Sequence, residues 1–357
     1  MPEKIIQVVT QMEAGGAQRV ALLLHKELRS RGFDAELWFL YERTAAYADE
    51  EGVRSLWPRR PKAHEIPWLL KNLVANILRA RPSVMIAHTH YANELALPIA
   101  RFLGVKSRLA VHHNAIATYP ATAQKIELWW KRLGVYTQSI AVSEDVRRSL
   151  IDWDAALYTD STRCIYNGLD ERGVESQGGI SAEVARKISG KDLLFNVGRL
   201  TEQKNQSAIV RVLVEMPECV AVIAGRGPLE ESLCGEALAA GVESRLHMLG
   251  EVSSEIVAEW MQRADVFVFP SKFEAMPMAL LEAMHAGMAI VASDIPAHRE
   301  VAGDCALLSD TAPVPLAMTI RKALQQQKKG NALGVAARKR SSIFTVQAMA
   351  SAYLEAV

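Results

Sequence analysis

Apolar and polar positions along the chain switch between two rhythms. Ile5 to Val9 is a short β-prone run, and Gly15-Gly16 follows it. From Ala17 to Arg31 the apolar residues Val20, Leu23, Leu24 and Leu28 recur at helical spacing, and Gly32 stands where a left-handed residue closes a helix. Ala35 to Tyr41 reads as the next strand. Ile66 to Arg79 places Leu69, Leu70, Leu73, Val74 and Ile77 on one side of a helix. Val84 to Ala87 reads as a buried strand, Glu94 to Leu103 as a helix, and Arg108 to Val111 as a further strand. Strands that alternate with helices need crossover connections, and crossovers build a parallel sheet.

The rhythm breaks near Asn167-Gly168 and stays irregular to about Gly190, with Gly173, Gly178 and Gly179 inside. It resumes at Leu193 to Val197 and returns at Val220 to Ala224, Val266 to Phe269 and Ala289 to Val291. Val346 to Leu354 carries a last helical pattern. The fold class expected is therefore α/β, with two Rossmann-like, doubly wound domains facing each other across a cleft. An N-terminal domain is expected over 1–172, a linker over 173–190, a C-terminal domain over 191–340, and a terminal helix within 341–357 that crosses back to the first domain. No repeat of roughly 20 to 50 residues and no low-complexity tract interrupts this pattern.

Composition narrows the class. The chain has 357 residues, enough for two domains of about 150 each. Hydrophobic residues make up 50% and charged residues 23%, as in globular proteins. Lys and Arg total 41 against 40 Asp and Glu, so the basic excess of a dedicated nucleic-acid binder is missing. Cys164, Cys219, Cys234 and Cys305 form no C-x-x-C pair, which argues against a disulfide framework or zinc site and for a reducing compartment. No secretory signal follows Met1, and no apolar run reaches the length of about 18 residues that spans a bilayer. A cytoplasmic protein is expected, soluble or held at the cytoplasmic face of the membrane.

In doubly wound sheets ligands bind beyond the carboxyl ends of the strands, so the residues just after each strand carry the candidate chemistry. After the run ending at Phe269 come Glu274 and Ala275-Met276-Pro277, with Pro277 suited to the first position of a helix that Gly287 stops. Such a helix start presents unpaired N–H groups to an anion. Glu274 and Glu282 are eight residues apart, about 12 Å if the whole span is helical. On spacing alone the favoured reading is an acid complementing the helix dipole and a solvated glutamate; the other is a pair holding opposite ends of an extended ligand. After Val197 come Gly198-Arg199 and Lys204-Asn205, two cations at a strand-to-helix turn, readable as a phosphate grip or a solvated pair. Gly225-Arg226-Gly227 is a glycine turn, and Gly15-Gly16 lets backbone approach a ligand. Neither forms a dinucleotide or P-loop fingerprint. His88-Thr89-His90 and His112-His113 lack a convergent third ligand, so no metal site is expected. Asp152-Trp153-Asp154 reads as a helix end.

Taken in order, these pieces resemble the retaining glycosyltransferases of family 4, which have the GT-B fold. The matching elements are Gly15-Gly16-Ala17-Gln18-Arg19, His88-Thr89-His90, His113-Asn114, Ala141-Val142-Ser143-Glu144 and Tyr166-Asn167-Gly168-Leu169-Asp170. They continue with Gly198-Arg199-Leu200, Lys204-Asn205, Gly225-x-Gly227-Pro228, and Glu274 spaced from Glu282-Ala283-Met284 and Gly287. The resemblance implies an N-terminal acceptor-binding domain and a C-terminal nucleotide-sugar-binding domain. It implies that Arg199 and Lys204 grip the donor diphosphate, that Glu282 holds the ribose hydroxyls, and that Glu274 lies near the transferred sugar. It also implies that backbone groups around Met276 and Pro277 meet sugar or phosphate, that Gly15 and Gly16 approach the phosphate from the other domain, and that His113 faces the sugar ring. Gly225 joins the donor-binding set. The family commonly has glycine after the first glutamate, where this chain has Ala275. If that position needed φ > 0, alanine would cost about 1 kcal/mol or more.

The activity this implies is retaining transfer of a hexose or N-acetylhexosamine from a nucleotide-diphosphate sugar, UDP favoured, to a glycan or lipid-linked glycan acceptor. The donor is a cosubstrate, and neither a cofactor nor a metal is expected. A non-catalytic GT-B scaffold subunit and a nucleotide-sugar epimerase of the same fold are the alternatives. Lys125 to Leu133 mixes basic residues with Trp129 and Trp130, a composition that suits either a membrane interface or a helix with its tryptophans on the core.

Overall fold

A computed structural model describes residues 4–170 and 190–357. The expected linker, Gly190 apart, lies outside the described residues. The chain divides into two compact units, one of Met1–Asp170 with Phe344–Val357 and one of Glu171–Ile343.

The first unit is built on strands β1 (Lys4–Met12), β2 (Asp34–Glu42), β3 (Val53–Ser55), β4 (Val84–His88), β5 (Ser107–His112), β6 (Gln138–Ala141) and β7 (Thr162–Cys164). They pair in parallel in the order β3-β2-β1-β4-β5-β6-β7. Helices α1 (Gly16–Ser30), α2 (Ile66–Ala80), α3 (His90–Phe102), α4 (Ala121–Arg132), α5 (Glu144–Trp153) and α6 (Ala155–Tyr158) connect or cover them. The order reverses between β1 and β4, and such a switch point opens a crevice at the carboxyl ends. Val9 pairs with His88 and His88 with Val111, so β1, β4 and β5 deliver their loops to one edge. Trp38, Met85, Leu97 and Ala110 lie in one packed cluster of this unit.

The second unit contains β8 (Asp192–Val197), β9 (Cys219–Ala224), β10 (Leu246–Gly250), β11 (Val266–Phe269), β12 (Ala289–Ser293) and β13 (Leu307–Ser309). Their order, β10-β9-β8-β11-β12-β13, repeats the logic of the first sheet with the switch point between β8 and β11. The helices are α7 (Ser207–Glu215), α8 (Glu230–Ala239), α9 (Ser254–Arg263), α10 (Met278–Ala286), α11 (Pro296–Ala302), α12 (Pro313–Lys328) and α13 (Ala332–Ser341). Val210, Leu213, Ile223, Val268, Val291 and Ile320 form part of its core.

The last helix, α14 (Val346–Glu355), packs in the first unit. The Arg31 guanidinium at the end of α1 donates to the Gln347 carbonyl at 2.7 Å and to Ser351 Oγ at 2.9 Å. Leu169 bridges Thr345, and Gly168 passes so close that a Cβ there would lie 2.4 Å from the Thr345 carbonyl oxygen. Among the described residues, no helix is long and apolar enough to cross a membrane.

Two local expectations need correction. Helix α3 starts at His90, four residues before the apolar periodicity becomes visible at Glu94, because Thr89 takes φ 82° and turns the chain straight from strand into helix. Pro277 is the N-cap of α10 with φ −76° and ψ 111°, and Met278 is the first helical residue. Glu274 therefore precedes the helix, and the helical rise does not measure its distance from Glu282.

Candidate functional site

In the second unit the loops leaving β8 and β11 are stitched together across the switch point. The Lys272 N–H donates to the Gln203 carbonyl at 2.8 Å, and Gln203 Nε2 donates to the Phe273 carbonyl at 2.9 Å. Asn205, buried and in the left-handed region at φ 53°, donates its side-chain amide to the Pro270 carbonyl at 3.1 Å. These ties bring Lys204 Nζ within 2.6 Å of Glu274 Oε1, in a pair only 20% and 7% exposed. Lys204 Nζ also stands 5.1 Å from the Phe269 ring centre, a cation–π distance.

Behind this pair two glycine turns touch backbone to backbone. Gly198 donates its N–H to the Ala224 carbonyl at 3.0 Å, and Leu200 donates to the Arg226 carbonyl at 3.0 Å. A Cβ on Gly225 would lie 2.1 Å from the Gly198 carbonyl oxygen, and one on Gly227 would lie 2.3 Å from that of Leu200. The glycines are thus required by packing between the β8 and β9 turns. Arg199 projects from the same loop with an exposed side chain, and the Gln206 amide donates to its carbonyl at 3.3 Å. Met276 and Pro277 are buried at the start of α10, and Glu282 lies partly buried on that helix. Ala275 keeps its φ out of the left-handed region, so the strain considered for alanine at this position does not arise.

His298, on α11, is the residue of this neighbourhood that the sequence pattern did not single out. It is fully buried with its ring 5.2 Å from Phe269, and Nδ1 contacts the Ser293 carbonyl at 2.9 Å. Burial pushes its pKa down, with the Glu274 and Lys204 charges acting in opposite directions. The signal available was a polar residue soon after the β12 run.

In the first unit, Gly15 is the N-cap of α1, with no side-chain cap, and Gly16 opens the helix with open space where a Cβ would stand. A helix start with uncapped N–H groups can receive an anion. The Thr89 backbone, strained for a residue with a Cβ, is tied by a 2.6 Å hydroxyl contact to Thr10 on β1. His113, just beyond β5, is partly exposed, and its Nε2 contacts His88 Nδ1 at 3.3 Å. Loss of solvent pushes His113 down to about 4, so the ring is neutral near pH 7. Among the described residues, no group of three His, Cys, Asp or Glu side chains is placed to hold a metal ion. Asp154 ends α5 and caps α6 by accepting from the Leu157 N–H at 3.3 Å, a helix-end role.

Helix α4 resolves the Lys125 to Leu133 segment into two faces. Trp130 packs against the core cluster, whereas Trp129 is 56% exposed. Lys131 points inward, donating to Ser139 Oγ at 2.9 Å, so it adds nothing to a basic surface. Glu127 is buried beside it and accepts from Tyr136 at 3.0 Å and Tyr158 at 3.3 Å. Burial raises the Glu127 carboxyl to about 7 and lowers the Lys131 amine to about 8.

Comparison with known proteins adds to this geometry. Residues 14–172 match the family described as Glycosyltransferase Family 4, and residues 181–340 match Glycosyl transferases group 1. EpsF of Bacillus subtilis, which carries a glycosyltransferase assignment, is 26% identical over 325 residues, covering 82% of this chain and 79% of EpsF. The phosphatidyl-myo-inositol mannosyltransferase of Mycobacterium tuberculosis is 33% identical over 171 residues, 46% of this chain and 42% of that one. HepE of Anabaena, solved with UDP and glucose, shares the fold at a TM-score of 0.84 and 18% identity, over 99% of this chain and 98% of HepE. Matched in succession by two glycosyltransferase families and built on the fold of HepE, this chain belongs to the glycosyltransferases of GT-B type.

Proposed function

We propose that this chain transfers a hexose or N-acetylhexosamine, with retention of configuration, from a UDP-sugar to a glycan or lipid-linked glycan acceptor. The observation that carries this reading is the Lys204–Glu274 pair, held at the switch point of the second sheet beside the uncapped start of α10. Lys204 and Arg199 supply cations for a departing diphosphate, and the α10 amides add a preorganised positive potential. Within the second unit we assign Glu274 to the sugar and Glu282 to the ribose; His113, Gly15 and Gly16 are the first unit's own candidates for contact with sugar and phosphate. In the step proposed, the acceptor oxygen bonds to the anomeric carbon on the face from which the diphosphate departs. The bond to the diphosphate breaks, and the acceptor proton passes to a diphosphate oxygen. No metal is required, so a chelator should leave the rate unchanged. The UDP bound to HepE supports the choice of donor base.

Thermal shift against a panel of nucleoside diphosphates tests the donor. A ligand at 100 times its dissociation constant adds about 2.7 kcal/mol of stability, and UDP is expected to give the largest rise in Tm. A panel in which no nucleotide moves Tm would remove the donor site.

We also place the α2–α3–α4 face of the first unit against an anionic membrane. Phe102 is 90% exposed, Trp68 60% and Trp129 56%. Arg81 and Leu78 line one hollow of about 490 Å³ there, and Arg101 and Phe102 line a second of about 360 Å³. Residues 66–82 and 95–108 contain no acid, and Glu127, the only acid within 121–137, is buried. Exposed aromatics beside the cations Arg81 and Arg101 suit anionic headgroups. The protein should co-sediment with phosphatidylglycerol vesicles at low salt and be released as salt rises, and Phe102→Ser with Trp129→Ser should abolish binding. Protein left in the supernatant at low salt would refute the placement.

A further inference from the structure

Three side chains run in file from the middle of the first sheet to its carboxyl edge. Gln7 on β1 and His88 at the end of β4 are both fully buried, and His113 beyond β5 is partly exposed. Gln7 Oε1 lies 2.9 Å from His88 Nε2, and His88 Nδ1 lies 3.3 Å from His113 Nε2. The Tyr353 ring of α14 packs beside the file, 6.3 Å from His88 between ring centres.

Burial holds both imidazoles neutral near pH 7, and a neutral imidazole carries a single N–H. With the Gln7 amide oxygen turned to His88 the amide can only accept and the His88 proton sits on Nε2, whereas a reversed amide would donate and put that proton on Nδ1. In the first orientation His88 Nδ1 is a bare lone pair, and the contact to His113 requires the proton of His113 on its own Nε2. His113 Nδ1 is left as a bare acceptor.

We infer that Gln7 and His88 are positioning residues, a hydrogen-bond relay that fixes the ring orientation and tautomer of His113 so that its Nδ1 accepts from a hydroxyl donor. A bare nitrogen lone pair repels phosphate oxygen and attracts a hydroxyl hydrogen, so the relay suits this ring to a sugar hydroxyl and against the diphosphate. The link from this tautomer to turnover rests on the placing of His113 at the sugar under the proposed function.

The test is a long-range proton–nitrogen correlation on histidine-labelled protein, with His113 assigned by His113→Gln, alongside steady-state kinetics. Wild-type protein should show His113 protonated at Nε2 and bare at Nδ1. Gln7→Leu removes the acceptor that sets the relay and should leave His113 in a mixture of tautomers. Its kcat should fall about tenfold with KM for the donor little changed, the lower end of the loss known for outer-shell partners of metal-bound histidines. If Gln7→Leu does not fold, His88→Gln and His88→Phe carry the same test: glutamine keeps an acceptor opposite His113 Nε2 and preserves the tautomer, and phenylalanine releases it. A wild-type His113 protonated at Nδ1, or a tautomer untouched by loss of the acceptor, would overturn the relay. A released tautomer with undiminished turnover would instead remove His113 from the transfer reaction and leave the relay standing.

Discussion

Lys204→Ala should lower turnover about 100-fold or more, equivalent to about 2.7 kcal/mol of transition-state stabilisation. One ion pair at 4 Å in an effective dielectric near 20 is worth about 4 kcal/mol before desolvation, so a single cation at the departing diphosphate can supply this. The geometry favours a strong effect, because Nζ is held in place by Glu274 and by the Phe269 ring. The same pairing complicates the reading of the mutant. Removing the amine leaves the Glu274 carboxylate, only 7% exposed, without its cation, and an orphaned charge destabilises a fold. Adding Glu274→Gln separates the two effects through stability. If the folding loss comes from the orphaned carboxylate, the double variant regains Tm, and its turnover stays low. Turnover within threefold of wild type in Lys204→Ala would take Lys204 out of the reaction.

Gly225→Ala should destabilise the second unit by about 3 kcal/mol or more. Two costs combine, each about 1 to 3 kcal/mol: overpacking against backbone that cannot swing away, and a positive φ imposed on a residue with a Cβ. The new Cβ would fall 2.1 Å from the Gly198 carbonyl oxygen and 2.9 Å from its carbon, and φ there is 131°. Urea unfolding measures the loss, with Gly16→Ala as a control, since a Cβ on Gly16 meets no heavy atom within 4 Å. An unfolding midpoint for Gly225→Ala matching that of wild type would mean that the two turns do not pack as described. The expected result assigns the Gly225 turn to the joint between β8 and β9, beside whatever it does for a ligand.

Much of the fold was legible because each long element buries a face of its own. The spacing of Val20, Leu24 and Leu28 encodes α1, and Val220 to Ala224 encodes a strand covered on both sides. Short strands at or near the sheet edges were not legible. Gln138–Ala141 carries Ser139, whose hydroxyl serves Lys131, and Val53–Ser55 spans only three residues, too few for a period to show. The start of α3 was hidden for a different reason. Thr89 holds a backbone angle that its side chain disfavours, and only the contact with Thr10 shows what secures it. The candidate residues Arg199, Lys204, Glu274 and His113 were found because strand ends can be counted in a parallel α/β pattern. His298 and Gln7 escaped notice, one because it reads as an ordinary helix residue and the other because it lies inside a strand.

By itself, the order of residues determined the alternation of strand and helix, the break near residue 170 and the loops that carry charge, because burial periodicity is written within each segment. The tertiary structure alone decided which of those groups meet. Lys204 and Glu274 are 70 residues apart, and Gln7 and His88 are 81 apart. Their contacts depend on β8 lying beside β11 and β1 beside β4, an order set by how crossovers wind and not by any local pattern. A side chain's partner across a switch point follows from sheet order, and sheet order is a property of the whole unit.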